Sequence, residues 1–120
     1  MILIAEDSMI IAELEKNILV NAGYEVDIAT DGIDAMDKLH AKKYDLLVTD
    51  IDMPRMNGFE LTSKVRVDKR LEELPVIIVT VRETIEDRRK GIEVGADAYI
   101  LKKEFDQSNL LNTIKRLIGE

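Results

Sequence analysis

The chain has 120 residues, of which 46% are hydrophobic and 34% charged, and its formal net charge is −7. A chain of this length buries about two-thirds of its surface as one domain, so we expect a single domain over residues 1–120. The acidic balance and the 4% aromatic content argue against direct nucleic-acid binding. Because cysteine is absent and no apolar run is long enough for membrane insertion, we expect a cytoplasmic protein without disulfides.

The first part of the chain alternates short apolar runs with helical patterns. Ile2–Ala5 is a continuous apolar run, typical of a strand that is buried on both faces. Ser8 is a candidate N-cap for a helix whose apolar residues recur at helical spacing until Gly23. Val26–Ala29 then predicts a second strand, and residues 33–40 predict a short second helix.

The same alternation continues to the end of the chain. Leu46–Thr49 and Val76–Val79 predict the third and fourth strands, with a helix beginning at Gly58 between them. A charged helix over Glu86–Val94 precedes a fifth strand at Ala98–Leu101. The final helix has an apolar stripe formed by Leu110, Leu111, Ile114, Leu117 and Ile118. Five strands alternating with five helices predict an α/β fold with a parallel sheet covered on both faces.

Polar side chains follow four of these strands: Glu6 and Asp7, Asp50, Thr80, and Lys102. In open parallel sheets, ligands bind beyond the carboxyl ends of the strands, so we expect these side chains to share one pocket. Two carboxylates about 4 Å apart repel by roughly 4 kcal/mol at an effective dielectric constant near 20, so three of them require a cation. Mg²⁺ prefers oxygen ligands of this kind.

These residue types suit phosphoryl transfer. An ionised Asp50 can attack phosphorus and form an acyl phosphate, while Lys102 and the metal stabilise charge and the Thr80 hydroxyl donates to a phosphoryl oxygen. Each residue alone is more often a helix cap, a turn former or a solvated side chain. Their occurrence together at four strand ends favours the phosphoryl-transfer site.

The chain resembles the receiver domain of bacterial two-component response regulators, of the chemotaxis-regulator type, over essentially all of its length. The most specific motifs are Val48–Gly58, Pro75–Thr80 and Gly95–Tyr99. The resemblance implies a flavodoxin-like three-layer α/β/α sandwich, in which a five-stranded parallel sheet of order 2-1-3-4-5 is flanked by five helices. It also implies a phosphoprotein of a phosphorelay rather than an ordinary enzyme.

The resemblance further implies a role for each site residue. Asp50 is the phosphoacceptor, and Mg²⁺ is held by Glu6, Asp7, Asp50 and the backbone carbonyl of Asp52. Thr80 and Lys102 contact the phosphoryl group, and Thr80 and Tyr99 form the conformational switch. The implied partners are a sensor histidine kinase or its phosphotransfer domain, and a downstream protein that binds the face formed by the fourth helix, fifth strand and fifth helix.

Two shorter features refine these expectations. Lys102–Ser108 resembles receivers fused to the C-terminus of chemotaxis-type hybrid histidine kinases, which suggests a role in chemotaxis, although a stand-alone regulator is also open. Asp52 and Arg82 each lie two residues after a site residue, at positions that flank the path of the attacking water in this family. We therefore expect this pair of opposite charges to lengthen the lifetime of the phosphorylated form.

Two other functions stay open at this point. The first is a Mg²⁺-dependent phosphatase or phosphotransferase in which Asp50 is the nucleophile and Asp52 is the acid or base. Met53-Pro54, which follow Asp52, and the absence of a cap insertion argue against this function. The second is a pseudo-receiver that serves only as an interaction module. The presence of Asp50, Thr80 and Lys102 argues against that function.

Overall fold

The computed structural model describes residues 1–104 and 107–119, and within them five strands alternate with five α-helices. The strands are Ile2–Ala5 (β1), Val26–Ala29 (β2), Leu46–Thr49 (β3), Val76–Thr80 (β4) and Ala98–Leu101 (β5). The helices are Met9–Asn21 (α1), Gly32–Ala41 (α2), Gly58–Val67 (α3), Ile85–Glu93 (α4) and Gln107–Ile118 (α5).

The strands form one sheet in the order β2-β1-β3-β4-β5, and every neighbouring pair is parallel. This confirms the predicted flavodoxin-like fold. Ala5 pairs with Thr49, and Thr80 pairs with Leu101, so these strands end at the same edge of the sheet. The chain order reverses between β1 and β3, which is the kind of switch point where α/β sheets bind ligands.

Two apolar layers cover the sheet, one on each face. Leu3 and Leu47 pack in the layer that includes residues of α2 and α3, whereas Ile4 and Val48 pack in the layer that includes residues of α1 and α5. Successive strand residues point to opposite faces, and every residue of β1, β3 and β4 is buried. This explains why these strands have continuous apolar sequences.

Helix α1 has the predicted ends but an unexpected buried face. The Ser8 side chain accepts a hydrogen bond from the Ile11 N–H, and Gly23 follows the helix with a φ of 100°. The residues of the helix that are buried are Ala12, Glu15 and Leu19. The sheet-facing side therefore includes a carboxylic acid, whereas apolar Ile10 is 84% exposed and Leu14 is 55% exposed.

Other boundaries differ by one residue from the predicted ones. Helix α4 begins at Ile85 rather than Glu86 because Thr84 caps it, accepting a hydrogen bond from the Asp87 N–H. Residues 105 and 106 of the hybrid-kinase-like motif lie outside the described residues; its first three residues, Lys102–Glu104, form a 3-10 turn. Among the described helices, none has the length and apolar character needed to cross a lipid bilayer.

Candidate functional site

The carboxylates of Glu6, Asp7 and Asp50 come together at the carboxyl edge of the sheet. Each offers an oxygen atom, and these oxygens all lie within 4.8 Å of one another. Glu6 is 2% exposed and Asp50 is 7% exposed, whereas Asp7 is exposed to solvent. Glu6 and Asp7 follow β1, and Asp50 follows the neighbouring β3, so the strand pairing places them side by side.

The main chain around Asp50 is fixed by backbone and side-chain hydrogen bonds. The Asp50 N–H donates to the Ala5 carbonyl at 3.0 Å, and the Thr49 hydroxyl donates to the Asp50 carbonyl at 2.8 Å. The Ile51 N–H donates to Oδ1 of Asp50 at 2.7 Å. Gly58 begins α3 directly against this segment, and a Cβ atom there would collide with the Asp50 carbonyl oxygen. A glycine is therefore required at this close approach.

Lys102 links the two buried carboxylates. Its Nζ donates to Oε1 of Glu6 at 2.9 Å and to Oδ2 of Asp50 at 3.2 Å. Burial raises the pKa of Glu6 and of Asp50 above their usual values, although the lysine charge acts in the opposite direction. Burial alone would lower the pKa of Lys102, but its hydrogen bonds and the two negative charges raise it. The ammonium is therefore held in its charged form.

The charges and donor types of this cluster fit a divalent cation. Three carboxylates face a single ammonium, so the cluster retains excess negative charge that a cation would neutralise. All of the available ligands are oxygens, which hard cations such as Mg²⁺ prefer. Within residues 1–104 and 107–119, this is the one group of three or more acidic, histidine or cysteine side chains with such spacing.

Thr80 and Arg82 lie at the neighbouring strand end. Thr80 is fully buried, and its Oγ1 accepts a hydrogen bond from the Arg82 N–H at 3.1 Å. The Arg82 guanidinium donates to Oδ1 of Asp52 at 2.6 Å, so the pair expected from the sequence is present. Hydrogen bonds from Arg82 lower the pKa of Asp52, despite a smaller opposing effect of burial. Asp52 is therefore held as a carboxylate.

Tyr99 lies in β5, beside β4, and its ring is directed toward α4. Its hydroxyl donates to the Arg82 carbonyl at 2.7 Å, and the Arg88 guanidinium lies 5.2 Å from the ring centroid. A Cβ atom on Gly91 would lie 2.9 Å from a Tyr99 ring carbon, so the glycine leaves room for the ring. Burial raises the pKa of the Tyr99 hydroxyl, which consequently acts as a hydrogen-bond donor.

Two features of this region were not identified from the sequence. Glu15 is 4% exposed, and burial, with the nearby charge of Glu6, raises its pKa to about 8. Glu15 lies three residues after Ala12 and four before Leu19, on one face of the helix, and this spacing could have indicated that it is buried with them. In the second feature, Arg55 donates to Oδ2 of Asp31 at 2.7 Å and adopts a φ of 66°. No local sequence pattern indicated that contact.

Comparison with known proteins identifies the family of this chain. A family model for the response regulator receiver domain matches residues 2–115. The chain is 40% identical over 117 residues to the transcriptional regulatory protein TctD of Salmonella typhimurium, covering 98% of this chain and 51% of TctD. It spans about half the length of most of the first curated relatives that it matches, and 15% of the gliding motility regulatory protein of Myxococcus xanthus.

Solved structures agree with this assignment. The signal receiver domain of a histidine kinase from Syntrophus aciditrophicus has a TM-score of 0.92 and 34% identity, covering 98% of this chain and 89% of that one. The receiver domain of the sensor histidine kinase PA1611 from Pseudomonas aeruginosa, described with a magnesium ion coordinated in its active site cleft, has a TM-score of 0.91 and 27% identity, covering 99% and 97%. From its sequence and its fold alike, the chain belongs to the response regulator receiver domains, which are signalling domains of two-component systems.

Proposed function

We propose that Asp50 accepts a phosphoryl group from a phosphohistidine, on a sensor histidine kinase or its phosphotransfer domain, and that this changes the surface that a downstream protein binds. The observation that carries the proposal is the position of the Asp50 carboxylate. It lies beside Glu6 and Asp7, with Lys102 bound to one of its oxygens. The proposal takes residues 1–120 as one cytoplasmic receiver domain that makes no direct contact with nucleic acid.

The transfer is a substitution at phosphorus. A carboxylate oxygen of Asp50 forms the new P–O bond as the P–N bond to the donor imidazole breaks, and the electron pair of that bond remains on the imidazole nitrogen, which is then protonated. Water later attacks the same phosphorus, and phosphate leaves Asp50. The protein in this way resets itself and does not turn over an external substrate as an ordinary enzyme does.

Mg²⁺ would be held by the carboxylates of Glu6, Asp7 and Asp50 and by the backbone carbonyl of Asp52. When bound, it supplies positive charge that offsets the charge on the transferring phosphoryl oxygens. The oxygen-only donor set and the excess negative charge of the cluster support this ligand set. So does the magnesium ion described in the cleft of the Pseudomonas aeruginosa receiver.

Lys102 and Thr80 would stabilise the phosphoryl group once it is attached. Lys102 already donates to the carboxylate of Asp50, and its ammonium can instead donate to a phosphoryl oxygen. The hydroxyl hydrogen of Thr80 is free to be directed to another phosphoryl oxygen, since its Oγ1 acts as an acceptor from Arg82. A shift of Thr80 would move Arg82, whose carbonyl holds Tyr99. We infer that this connection transmits the signal to the face formed by α4, β5 and α5.

The phosphatase alternative has less support. In that mechanism Asp52 would donate a proton to the leaving group, which requires a carboxylic acid whose pKa is close to the working pH. Here hydrogen bonds from Arg82 lower the pKa of Asp52. A pseudo-receiver is also less well supported, because Asp50, Thr80 and Lys102 all lie at the same sheet edge.

Incubation with acetyl phosphate and Mg²⁺, followed by intact-protein mass spectrometry, tests the proposal. We expect the mass to increase by one HPO₃ group, the increase to require Mg²⁺, and the adduct to map to Asp50. Asp50→Asn should remain unmodified, while the exposed Asp37→Asn serves as a matched control that is modified normally. An adduct elsewhere, or none with folded protein and Mg²⁺, would contradict the proposal.

A further inference from the structure

A groove of about 380 Å³ runs between α3 and α4, away from the phosphoacceptor pocket. Its size is in the range of sites that accept ligands or a few side chains of a protein partner. Apolar side chains provide part of its lining: buried Phe59, half-buried Val94, and Val67, which is 79% exposed at the end of α3. Of this lining, Val67 and part of Val94 are open to a ligand, whereas Phe59 lies beneath them.

The charged side chains along the groove are mostly cationic. Lys64 lines it from α3 and Lys90 from α4. Among the described residues, neither lysine forms an ion pair, and Lys90 instead lies 4.9 Å from the centroid of the Phe59 ring. The acidic residue of the lining, Glu60, already accepts a hydrogen bond from the Asn57 N–H in the capping box of α3.

The charge of this groove is opposite in sign to the net charge of the chain, which is −7. Two ammonium groups, one on each wall, flank an apolar floor, so the complementary ligand has an apolar centre and carboxylates on both sides. A nucleic acid is a poorer fit, because base stacking needs aromatic rings that are exposed on the protein. Phe59 is the aromatic residue of this lining, and it is only 4% exposed.

We propose that the α3–α4 groove is a second protein-binding site, which takes a short segment with a bulky apolar side chain between acidic residues. The apolar side chain packs on Val67 and Val94, above the buried Phe59, while its flanking carboxylates pair with Lys64 and Lys90. The lining of this site comes from α3, α4 and the residues adjoining them, and includes no residue of β5 or α5. It does not depend on phosphorylation, so its failure would leave the proposed function of Asp50 unaffected.

The floor of the groove is connected to the switch region. Phe59 packs in a small buried cluster with Ile51 and Ile78, and Tyr99 packs against the same cluster. The Arg82 guanidinium also lies 5.9 Å from the Phe59 ring centroid. A segment bound in the groove therefore lies over Phe59, which packs in the same cluster as Tyr99 and Ile51, the residue following Asp50.

The probe for this site is an acetylated, amidated peptide with adjacent leucine and phenylalanine residues between pairs of glutamates. Binding to the unphosphorylated full chain is followed by NMR titration of the isotope-labelled protein. We expect saturable shifts confined to residues around Phe59, Val67 and Val94. A peptide with glutamines in place of the glutamates, and one with alanines in place of the leucine and phenylalanine, should each bind at least about tenfold more weakly.

Charge-reversal variants locate the site. Lys64→Glu and Lys90→Glu should each weaken binding of the glutamate peptide by about tenfold. Lys43→Glu is the matched control, because it places the same change in a separate cavity of about 730 Å³; binding should then be unchanged. All three lysines are exposed, and thermal unfolding checks that each variant is folded.

Three outcomes would overturn the proposal. The first is an absence of saturable shifts with the folded wild-type chain. The second is equal weakening by Lys43→Glu, which would indicate a general electrostatic effect. The third is that the peptide does not bind, while sedimentation equilibrium shows concentration-dependent self-association that Lys90→Glu abolishes. That result would assign the groove to a second copy of this chain.

Discussion

Arg82 and Asp52 form a bidentate ion pair that joins the chain after β4 to the chain after β3. Nη2 of Arg82 lies 2.6 Å from Oδ1 of Asp52, and Nε lies 3.2 Å from Oδ2. The same arginine accepts the Tyr99 hydroxyl hydrogen bond at its carbonyl. One residue therefore contacts both Asp52, two residues after the proposed phosphoacceptor, and Tyr99, the proposed switch residue.

We predict that Arg82→Ala shortens the lifetime of the phosphorylated form. In the proposed function the ion pair flanks the path by which water reaches the phosphorus, so its loss should open that path. An exposed pair is worth at most about 1 kcal/mol, so the dephosphorylation rate should rise up to about fivefold. Decay of the phosphorylated protein after removal of acetyl phosphate measures this rate.

The matched control for that experiment is Arg89→Ala on the exposed surface of α4. It should leave the decay rate unchanged. Asp52→Ala should resemble Arg82→Ala, and the double variant should be no faster than either single variant. Equal decay rates in wild type and Arg82→Ala would contradict the idea that the pair limits water access.

Asp50→Asn should stabilise the protein in metal-free buffer. Burial raises the pKa of Asp50 above its usual value of 3.8, so the folded state binds the proton more tightly than the unfolded state does. Stability from this group is therefore lost as the pH rises above 3.8 through the folded-state pKa. The free energy of unfolding at pH 7 should increase by about 1 kcal/mol in the variant, with a smaller gain at pH 4.

Urea unfolding at the two pH values, with EDTA present, measures this effect. Asp37→Asn, which changes an exposed aspartate, should be neutral. Added Mg²⁺ should stabilise the wild type more than Asp50→Asn, because the variant lacks one anionic ligand. A clear loss of stability in Asp50→Asn would mean that the hydrogen bonds to this carboxylate outweigh the cost of burying it.

Glu15→Gln should produce a stability gain that grows with pH. The folded-state pKa of Glu15 is about 8, compared with a reference of 4.5. Between these values the unfolded state is ionised while the folded state keeps its proton, so wild-type stability from this group falls as the pH rises. The shift corresponds to a loss of up to about 5 kcal/mol, which the neutral glutamine avoids.

Thermal unfolding at pH 5 and pH 8 tests this prediction. The melting temperature of Glu15→Gln should exceed that of the wild type by more at pH 8 than at pH 5. Glu13→Gln, on the exposed side of the same helix, should show no such difference. A pH-independent effect of Glu15→Gln would rule out a buried, protonated Glu15.

Arg55 should tolerate glycine better than alanine. Its φ of 66° is in the left-handed region, where a residue with a Cβ atom is disfavoured by roughly 1 kcal/mol. Both substitutions remove the ion pair with Asp31, but only glycine also relieves the backbone strain. We therefore expect Arg55→Ala to be about 1 kcal/mol less stable than Arg55→Gly in urea unfolding. Equal stabilities would show that the loop changes conformation once the ion pair is lost.

The fold and the core of the site could be predicted because each depends on local patterns. Continuous apolar runs identify buried parallel strands, and the residues that follow those runs must lie at one edge. This was sufficient to bring Glu6, Asp50 and Lys102 together. Which of these side chains are neighbours depends on the order of the strands in the sheet. That order was implied by the sequence motifs of the family.

The remaining contacts depend on the rotation of helices and on pairs that are distant in sequence. The apolar residues of α1 do not specify its orientation, so the burial of Glu15 and the exposure of Ile10 were not foreseen. Nε2 of His40 in α2 lies 2.7 Å from a carboxylate oxygen of Asp68, which caps the C-terminus of α3. Such a pair leaves no local signature.

Because Gly58 has no side chain, α3 packs directly against the main chain at Asp50 and limits how that segment can move. Helix α3 packs against the Asp50 carbonyl, and Ala5 and Thr49 form hydrogen bonds with the main chain of Asp50. These contacts hold the end of β3 in place. If Asp50 is phosphorylated as proposed, we therefore expect the displacement at the end of β4, where the chain leaves the sheet after Thr80, rather than in β3.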